Sequence, residues 1–144
     1  MNKFQKVSLF LLRISMGWIM LYAGLAKVTD PGWSAAPYLQ NAQTFHKFFA
    51  WFTQPGILPI TNFVNEWGLT LLGVSLLLGL LVRWSSFLGI LLMLLYYFPV
   101  LTFPYIKPNS LIIDDHIAYA VVLLLFAAMN AGKVWGLDSK FKRL

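Results

Sequence analysis

The sequence predicts an all-α integral membrane protein, a four-helix bundle with an aromatic, partly helical outer loop between its first two helices. The chain of 144 residues is 59% hydrophobic and 11% charged, whereas soluble domains carry about 25% charged residues. Its mean hydropathy is +0.70. Since no alternating strand pattern indicates a barrel, helices have to satisfy the backbone polar groups inside the membrane.

Four stretches approach the length of about 20 apolar residues that a membrane helix needs. They cover residues 7–26, 60–82, 84–103 and 111–130, within a single domain of residues 1–144. Pro99 lies inside the third stretch and is expected to kink that helix or end it early. Lys3 and Lys6 before an apolar run are typical of a secretory signal, but Arg13 interrupts this run, so we expect a retained first helix.

The basic residues predict the orientation of the chain, because cytoplasmic loops carry an excess of Lys and Arg. Four spans put both termini on one side, with Lys3, Lys6, Arg83, Lys133, Lys140, Lys142 and Arg143. The other side has Lys27, Lys47 and Lys107. We therefore expect a membrane protein with cytoplasmic termini. The net charge of +6 is explained by this topology and by anionic lipid, and no nucleic-acid partner is expected.

The connection of residues 28–59 is too aromatic for a disordered linker and is expected to lie outside. Within residues 42–52, four phenylalanines follow helical spacing. They are Phe45, Phe48, Phe49 and Phe52. This pattern predicts a helix lying flat at the outer interface. Such a helix either covers the space enclosed by the spans or only anchors the chain.

Polar and small residues share one face of the first span. Arg13, Gly17, Met20, Gly24 and Lys27 recur at helical spacing, so a neighbouring helix can approach the glycines closely. Arg13 lies about 10 Å into the bilayer by helical rise and needs a partner there. Glu66 of the second span is expected to be that partner. The pair is either purely structural or part of a functional site.

Asp114, Asp115 and His116 stand together at the start of the fourth span, where Ser110 is a natural N-cap. Adjacent helix positions point about 100° apart, so one aspartate is expected to face the headgroups and the other the bundle. These residues predict a polar cavity under the aromatic loop, suited to an ion, a proton relay or a quinone ring. Its expected members are Lys27, Glu66, Asp114, Asp115, His116 and Tyr119.

Several other chemistries are not expected. The chain has no cysteine, which excludes disulfides and thiolate metal sites. His46 and His116 are its only histidines and lie in different segments, so neither a bis-histidine haem nor a metal site is predicted. Phosphate-binding loops, nucleophile elbows and dinucleotide fingerprints are missing from the sequence.

Four stretches of the sequence carry a resemblance to a known family. In order they are RISMGWIMLYAGLAKVTDPGWSAAPYL, NEWGLTLLGVSLLLGLLVRW, DDHIAYAVVLLL and AGKVWGLD. Their order of polar and small residues resembles that of the DoxX/DoxD membrane proteins. The resemblance implies a four-helix bundle in the cytoplasmic membrane. Its matching polar positions are Arg13, Lys27, Glu66 and Arg83, and Asp115 and His116 lie in a matching stretch.

The resemblance also implies an activity. DoxD-type members are membrane subunits of thiosulfate:quinone oxidoreductase, which oxidises thiosulfate to tetrathionate and passes the electrons to membrane quinone. This chain is then expected to use quinone as its electron acceptor. Its expected partner is a DoxA-like or other sulfur-metabolism subunit, since four helices and a loop leave no room for one here. Homo-oligomerisation is left open.

Two functions remain open from the sequence. As an enzyme subunit, the protein would attract an anionic sulfur substrate with its cations and move the protons that quinone reduction consumes. The expected catalytic residues are Glu66, Asp115 and His116, and the expected substrate-binding residues are Arg13, Lys27, Asp114 and Tyr119. As a non-catalytic membrane partner or scaffold, it would use its ion pairs to hold the bundle and its aromatic loop to dock another protein.

The orientation is tested with single cysteines in this cysteine-free chain. In intact cells, a membrane-impermeant maleimide is expected to label Gly56→Cys in the outer loop and to leave Ser139→Cys unlabelled until the membrane is permeabilised. Labelling of Ser139→Cys from outside would reverse the predicted orientation.

Overall fold

The computed structural model describes residues 1–140. In chain order its elements are α1 (Lys3–Val28), α2 (Ala36–Gln40), α3 (His46–Trp51), α4 (Leu58–Leu78), α5 (Val82–Val100), β1 (Tyr105–Lys107), β2 (Ser110–Leu111) and α6 (Asp115–Ala128), followed by single turns of 3-10 helix at Ala131–Lys133 and Leu137–Ser139. Lys142 and Arg143, which contribute to the predicted orientation, lie outside the described residues.

Each of the four predicted spans contains one long helix. α1 and α5 are long and apolar enough to cross a membrane, and α6 is apolar but only 14 residues long. Pro99 lies in the last turn of α5, which ends at Val100, so the prediction of an early end is confirmed. Proline donates no backbone hydrogen bond, which weakens the helix at its last turn.

Two details of the predicted fold are wrong around residue 110. The chain is not entirely α-helical, because β1 and β2 form a small antiparallel hairpin between α5 and α6. Ser110 belongs to this hairpin, and the N-cap of α6 is Asp114. The hairpin is fastened to α5 by the Tyr97 hydroxyl, which donates to the carbonyl oxygen of Ile112 at 2.6 Å. The fourth helix therefore begins later than predicted.

The glycine face of α1 packs against α4, as predicted. The two helices run antiparallel, with Gly24 of α1 against the backbone of Thr70 and Gly73 of α4 against the backbone of Leu21. A Cβ atom at either glycine would overlap that backbone. Small residues at such a contact let two helices approach closely. α5 packs mainly against α6, and α4 lies beside α5.

The two ends of the bundle differ. We call the end that holds the N-terminus, the α4–α5 turn and residues 131–140 the terminal end, and the opposite end the loop end. The main apolar core extends between them from all four long helices. It includes Met16 and Met20 of α1, Leu76 of α4 and Phe126 of α6. A second, smaller apolar cluster packs the outer loop onto α5 at the loop end.

Arg13 is fully buried at the terminal end. Its Nη2 donates to the carbonyl oxygen of Val134 at 3.2 Å, and its guanidinium carbon lies 5.5 Å from the centre of the Phe10 ring. The carboxylate of Asp138 lies close enough to attract its charge. A buried cation needs such compensation, because desolvation costs several kcal/mol or more.

Asp138 also caps α5 from a distant part of the chain. Its carboxylate accepts the backbone N–H of Leu81 at 2.7 Å and of Val82 at 3.1 Å. Its own N–H donates to the carbonyl oxygen of Gly79 at 2.8 Å. Arg13, Asp138 and residues 79–82 together form what we call the terminal clamp. It joins α1, the α4–α5 turn and the C-terminal segment.

The predicted pairing of Arg13 with Glu66 is wrong. Glu66 lies at the loop end, where its charge acts on Lys27. About four turns of α1, or roughly 20 Å, separate Lys27 from Arg13. Because α1 and α4 are antiparallel, an acid near the start of α4 meets the end of α1. The partner of Arg13 comes instead from the C-terminal segment.

The terminal clamp predicts an unequal response to two aspartate substitutions. Asp138→Ala is expected to lower the free energy of unfolding by about 1–3 kcal/mol, because it leaves the backbone N–H groups of Leu81 and Val82 without their acceptor and removes the negative charge that acts on the buried Arg13. Asp115→Ala, which removes an exposed ion pair with Lys107, is the matched control and is expected to cost at most about 1 kcal/mol. Unfolding of the purified protein in detergent measures both.

The double variant Arg13→Met with Asp138→Ala is expected to lose less stability than the sum of the single variants, since the two residues interact. Additive losses would show that the clamp residues act independently.

Candidate ligand-binding site

A cavity of about 710 Å³ lies at the loop end, between the long helices and the outer loop. Its volume is within the range of about 300–1,000 Å³ that is usual for small-molecule sites. Most of its lining is apolar, and much of it is aromatic. The aromatic lining residues are Trp33, Tyr38, Phe49, Trp51, Phe52, Tyr96 and Tyr119. The outer loop thus covers the space between the helices, in agreement with one of its two predicted roles.

Side-chain hydrogen bonds hold the loop over the cavity. The Tyr38 hydroxyl donates to the carbonyl oxygen of Tyr96. Asn62 of α4 accepts the backbone N–H of Ala35 at 3.0 Å. Burial, and after it the negative charge of Asp114, raises the pKa of Tyr38 to about 12. Tyr38 therefore keeps its proton at neutral pH and remains a hydrogen-bond donor.

The helix predicted within residues 42–52 is present as the short α3. Phe49 is buried in the loop cluster and lines the cavity, while Phe48 and Trp51 are exposed. Phe45 precedes α3 and has a positive φ of 53°. This left-handed conformation is not helical, so α3 begins one residue after the start of the predicted apolar face. The helical spacing therefore identified the helix but not its start.

Lys27 provides the cationic group of the cavity. Its Nζ donates to the Tyr96 hydroxyl at 3.1 Å and lies 4.7 Å from the Trp33 ring centre and 4.8 Å from the Tyr96 ring centre. Aromatic faces attract such a cation through their quadrupoles. The half-buried Glu66 balances its charge from nearby but does not line the cavity. Lys27 is therefore held in place with its charge turned toward the cavity.

His116 is the second ionisable group in the lining, and Asp114 holds it. The Asp114 side chain has no exposed surface, and its Oδ2 lies 2.6 Å from His116 Nδ1. Its Oδ1 accepts the backbone N–H groups of His116 and Ile117 at 3.0 and 3.2 Å, which caps α6. With Nδ1 bonded to the carboxylate, Nε2 is the nitrogen left for a ligand. The imidazole ring centre lies 5.7 Å from that of Tyr96.

Asp115 points away from the cavity. Its carboxylate is largely exposed and accepts from Lys107 Nζ at 3.1 Å. Because Asp114 has the extended backbone of an N-cap, its side chain folds back over the first turn, whereas Asp115 projects outward as the first helical residue. The aspartate that supports His116 is therefore Asp114. A catalytic role for Asp115 inside the cavity does not fit this placement.

The predicted site residues are only partly brought together. Lys27, His116 and Tyr119 line the cavity, and Asp114 lies directly behind His116. The remaining predicted residues, Arg13, Glu66 and Asp115, do not line it. Among residues 1–140, no group of three or more His, Asp or Glu side chains is placed to hold a metal ion.

Sequence reasoning missed five polar lining residues. Tyr96 contributes the hydroxyl that Lys27 contacts, and the others, which line other parts of the cavity, are Ser34, Tyr38, Thr61 and Asn65. A usable signal was present for Tyr96, because tyrosine near the end of an apolar span typically has a polar partner for its hydroxyl.

The family model DoxX matches residues 8–101. The match extends from α1 to the end of α5, so it includes Lys27 and Tyr96 but ends before Asp114 and His116. No curated protein and no solved structure matches the chain. Since the family match covers well over half of the sequence, the protein belongs to the DoxX family and is a membrane protein of the DoxX type.

Proposed function

We propose that this protein is the membrane subunit of a quinone-linked oxidoreductase and that quinone binds in the cavity at the loop end. The observation that carries the proposal is an apolar, aromatic cavity with one polar wall, formed by Lys27, Tyr96 and His116. A quinone requires apolar surroundings for its ring and donors or cations for its carbonyl oxygens. The lining residues fit both requirements.

The residues of the polar wall would have separate roles, some in binding quinone and one in transferring a proton to it. The ammonium of Lys27 would bind a carbonyl oxygen and stabilise negative charge on it, and Tyr96 would orient that ammonium through their hydrogen bond. Nε2 of His116 would deliver a proton, since it is the ring nitrogen left free by the contact of Nδ1 with Asp114 and histidine is a common general acid. The His116 side chain is 25% exposed, so water can reprotonate it. The bound quinone would supply the electron-accepting chemistry.

Thiosulfate is the proposed electron donor, on the basis of the resemblance to DoxD-type proteins. Joining thiosulfate ions into tetrathionate releases electrons but no protons, whereas reduction of quinone consumes both. A partner subunit of DoxA type would bind the sulfur substrate and pass on its electrons. The cavity would then have to provide only quinone binding and protons. Arg13 has no place in this scheme, since the terminal clamp lies at the other end of the bundle.

The proposal places all four long helices in the cytoplasmic membrane, with both termini in the cytoplasm. Exposed apolar side chains on α4 and α6, such as Leu71, Val121 and Leu124, support it, because the surface of a membrane protein contacts lipid. The polar wall would then lie near the outer leaflet, and the outer loop would separate the cavity from the periplasmic side.

Quinone binding is tested by titrating the purified protein with duroquinone. Binding is expected to raise the melting temperature and to quench the fluorescence of Trp33 and Trp51, which line the cavity. Lys27→Gln and His116→Gln are each expected to weaken binding about tenfold, the equivalent of losing one charged hydrogen bond. Asp115→Asn is the matched control, with affinity unchanged. Circular dichroism verifies that each variant is folded.

The variant Asp114→Asn tests whether Asp114 orients His116 for proton transfer in a protein that still folds. It is expected to retain duroquinone binding within about threefold, because both Lys27 and His116 are still present in the cavity lining, but to lower the rate of quinone reduction with a DoxA-like partner by about tenfold or more, since proton transfer depends on the orientation of His116. Equal rates for Asp114→Asn and the parent would remove the proton-delivery role. Absence of any quinone binding by the folded parent would favour the non-catalytic scaffold function.

A further inference from the structure

One side of the cavity, formed by α3 and α4, is open to the surface. The polar wall comes from α1, α5 and α6, whereas three lining residues from α3 and α4 are at least half exposed. They are Trp51 at 51%, Ile60 at 64% and Val64 at 52%. These three residues, which we call the rim, are all apolar. A residue that lines a cavity and is also exposed marks an opening.

The rim continues into the outer surface of α4. Ile60 and Val64 are four residues apart and so share one helix face. Phe63, Trp67 and Leu71, which follow along the same helix, are exposed as well. An exposed surface of this composition on a membrane protein contacts lipid rather than water. The opening therefore faces the lipid phase.

The apolar lining extends well below the polar wall. Ile19 of α1 lines the cavity, and it lies about 12 Å along the helix from Lys27 by helical rise. A ligand with its polar head at Lys27 and Tyr96 can thus place its ring among apolar side chains such as Met20 and Ala23. The cavity volume of about 710 Å³ suits a ring with a short chain, so a longer chain has to leave through an opening.

We propose that the rim of Trp51, Ile60 and Val64 is a lateral portal through which a lipid-soluble ligand enters from the outer leaflet, with its polar head at Lys27 and its apolar tail extending through the rim. This inference rests on the proposed function, because it takes quinone as the occupant. It adds that the site selects tailed quinones and receives them from the membrane. Binding should then depend on the tail as well as on the head.

The portal is tested by comparing decylubiquinone, which has an alkyl tail, with the tail-free duroquinone. The parent protein in detergent is expected to bind decylubiquinone at least about tenfold more tightly, since each buried methylene contributes to affinity. The double variant Ile60→Phe with Val64→Phe narrows the rim. It is expected to weaken decylubiquinone binding by about tenfold and to change duroquinone binding by less than about twofold.

Leu78→Phe is the matched control, because Leu78 is an exposed residue of α4 that does not line the cavity. It is expected to change neither affinity. Phenylalanine leaves the tryptophan content unchanged, so fluorescence quenching reports on all variants in the same way. Melting temperatures show whether the rim variant is folded.

The outcomes separate the portal from the proposed function. A parent that binds duroquinone but gains nothing from the tail would overturn the portal and leave quinone binding intact. If the rim variant bound both ligands equally more weakly than the parent, or bound both as tightly as the parent, the portal would also be overturned. A folded parent that binds neither ligand would overturn both proposals.

Discussion

The buried guanidinium of Arg13 connects parts of the chain that are far apart in sequence. A cation without solvent is tolerated only where acceptors and an opposite charge surround it, so the carbonyl oxygen of Val134 and the carboxylate of Asp138 have to stay in place. Asp138 in turn caps α5. This one group of contacts therefore closes the terminal end of the bundle. The cavity lies at the opposite, loop end.

Local patterns predicted the elements better than their partners. Spacing within one helix was enough to identify the glycine face of α1, because Gly24 and Gly73 meet backbone across a single helix pair. The partner of Arg13 could not be predicted in this way. It depends on the antiparallel packing of α1 and α4 and on a C-terminal aspartate, whose role requires the α4–α5 turn to be nearby. Three-dimensional packing, rather than residue type, selected Asp138 over Glu66.

The candidate site combines two regions of different origin in the chain. The region matched by the family supplies the apolar cavity, Lys27 and Tyr96, whereas His116 and Asp114 follow it. The sequence thus predicted only part of the site. Its ionisable residues could be recognised because charged side chains inside a membrane cost free energy. Its aromatic surroundings could not be predicted, because Trp33 reaches Lys27 only when the outer loop folds back, and Tyr96 only when α5 packs near the end of α1.

The cap at Asp114 limits how the chain length can vary near the site. The Tyr97 hydroxyl fastens Ile112, and only Ile113 separates that residue from the cap. One residue inserted or deleted between Ile112 and Asp115 would rotate the start of α6 by about 100° and exchange the inward and outward positions of the two acids. The hairpin tip between Lys107 and Ser110 lies before this anchor. Length changes should therefore accumulate at the tip in related sequences, while the three-residue spacing from Ile112 to Asp115 stays constant.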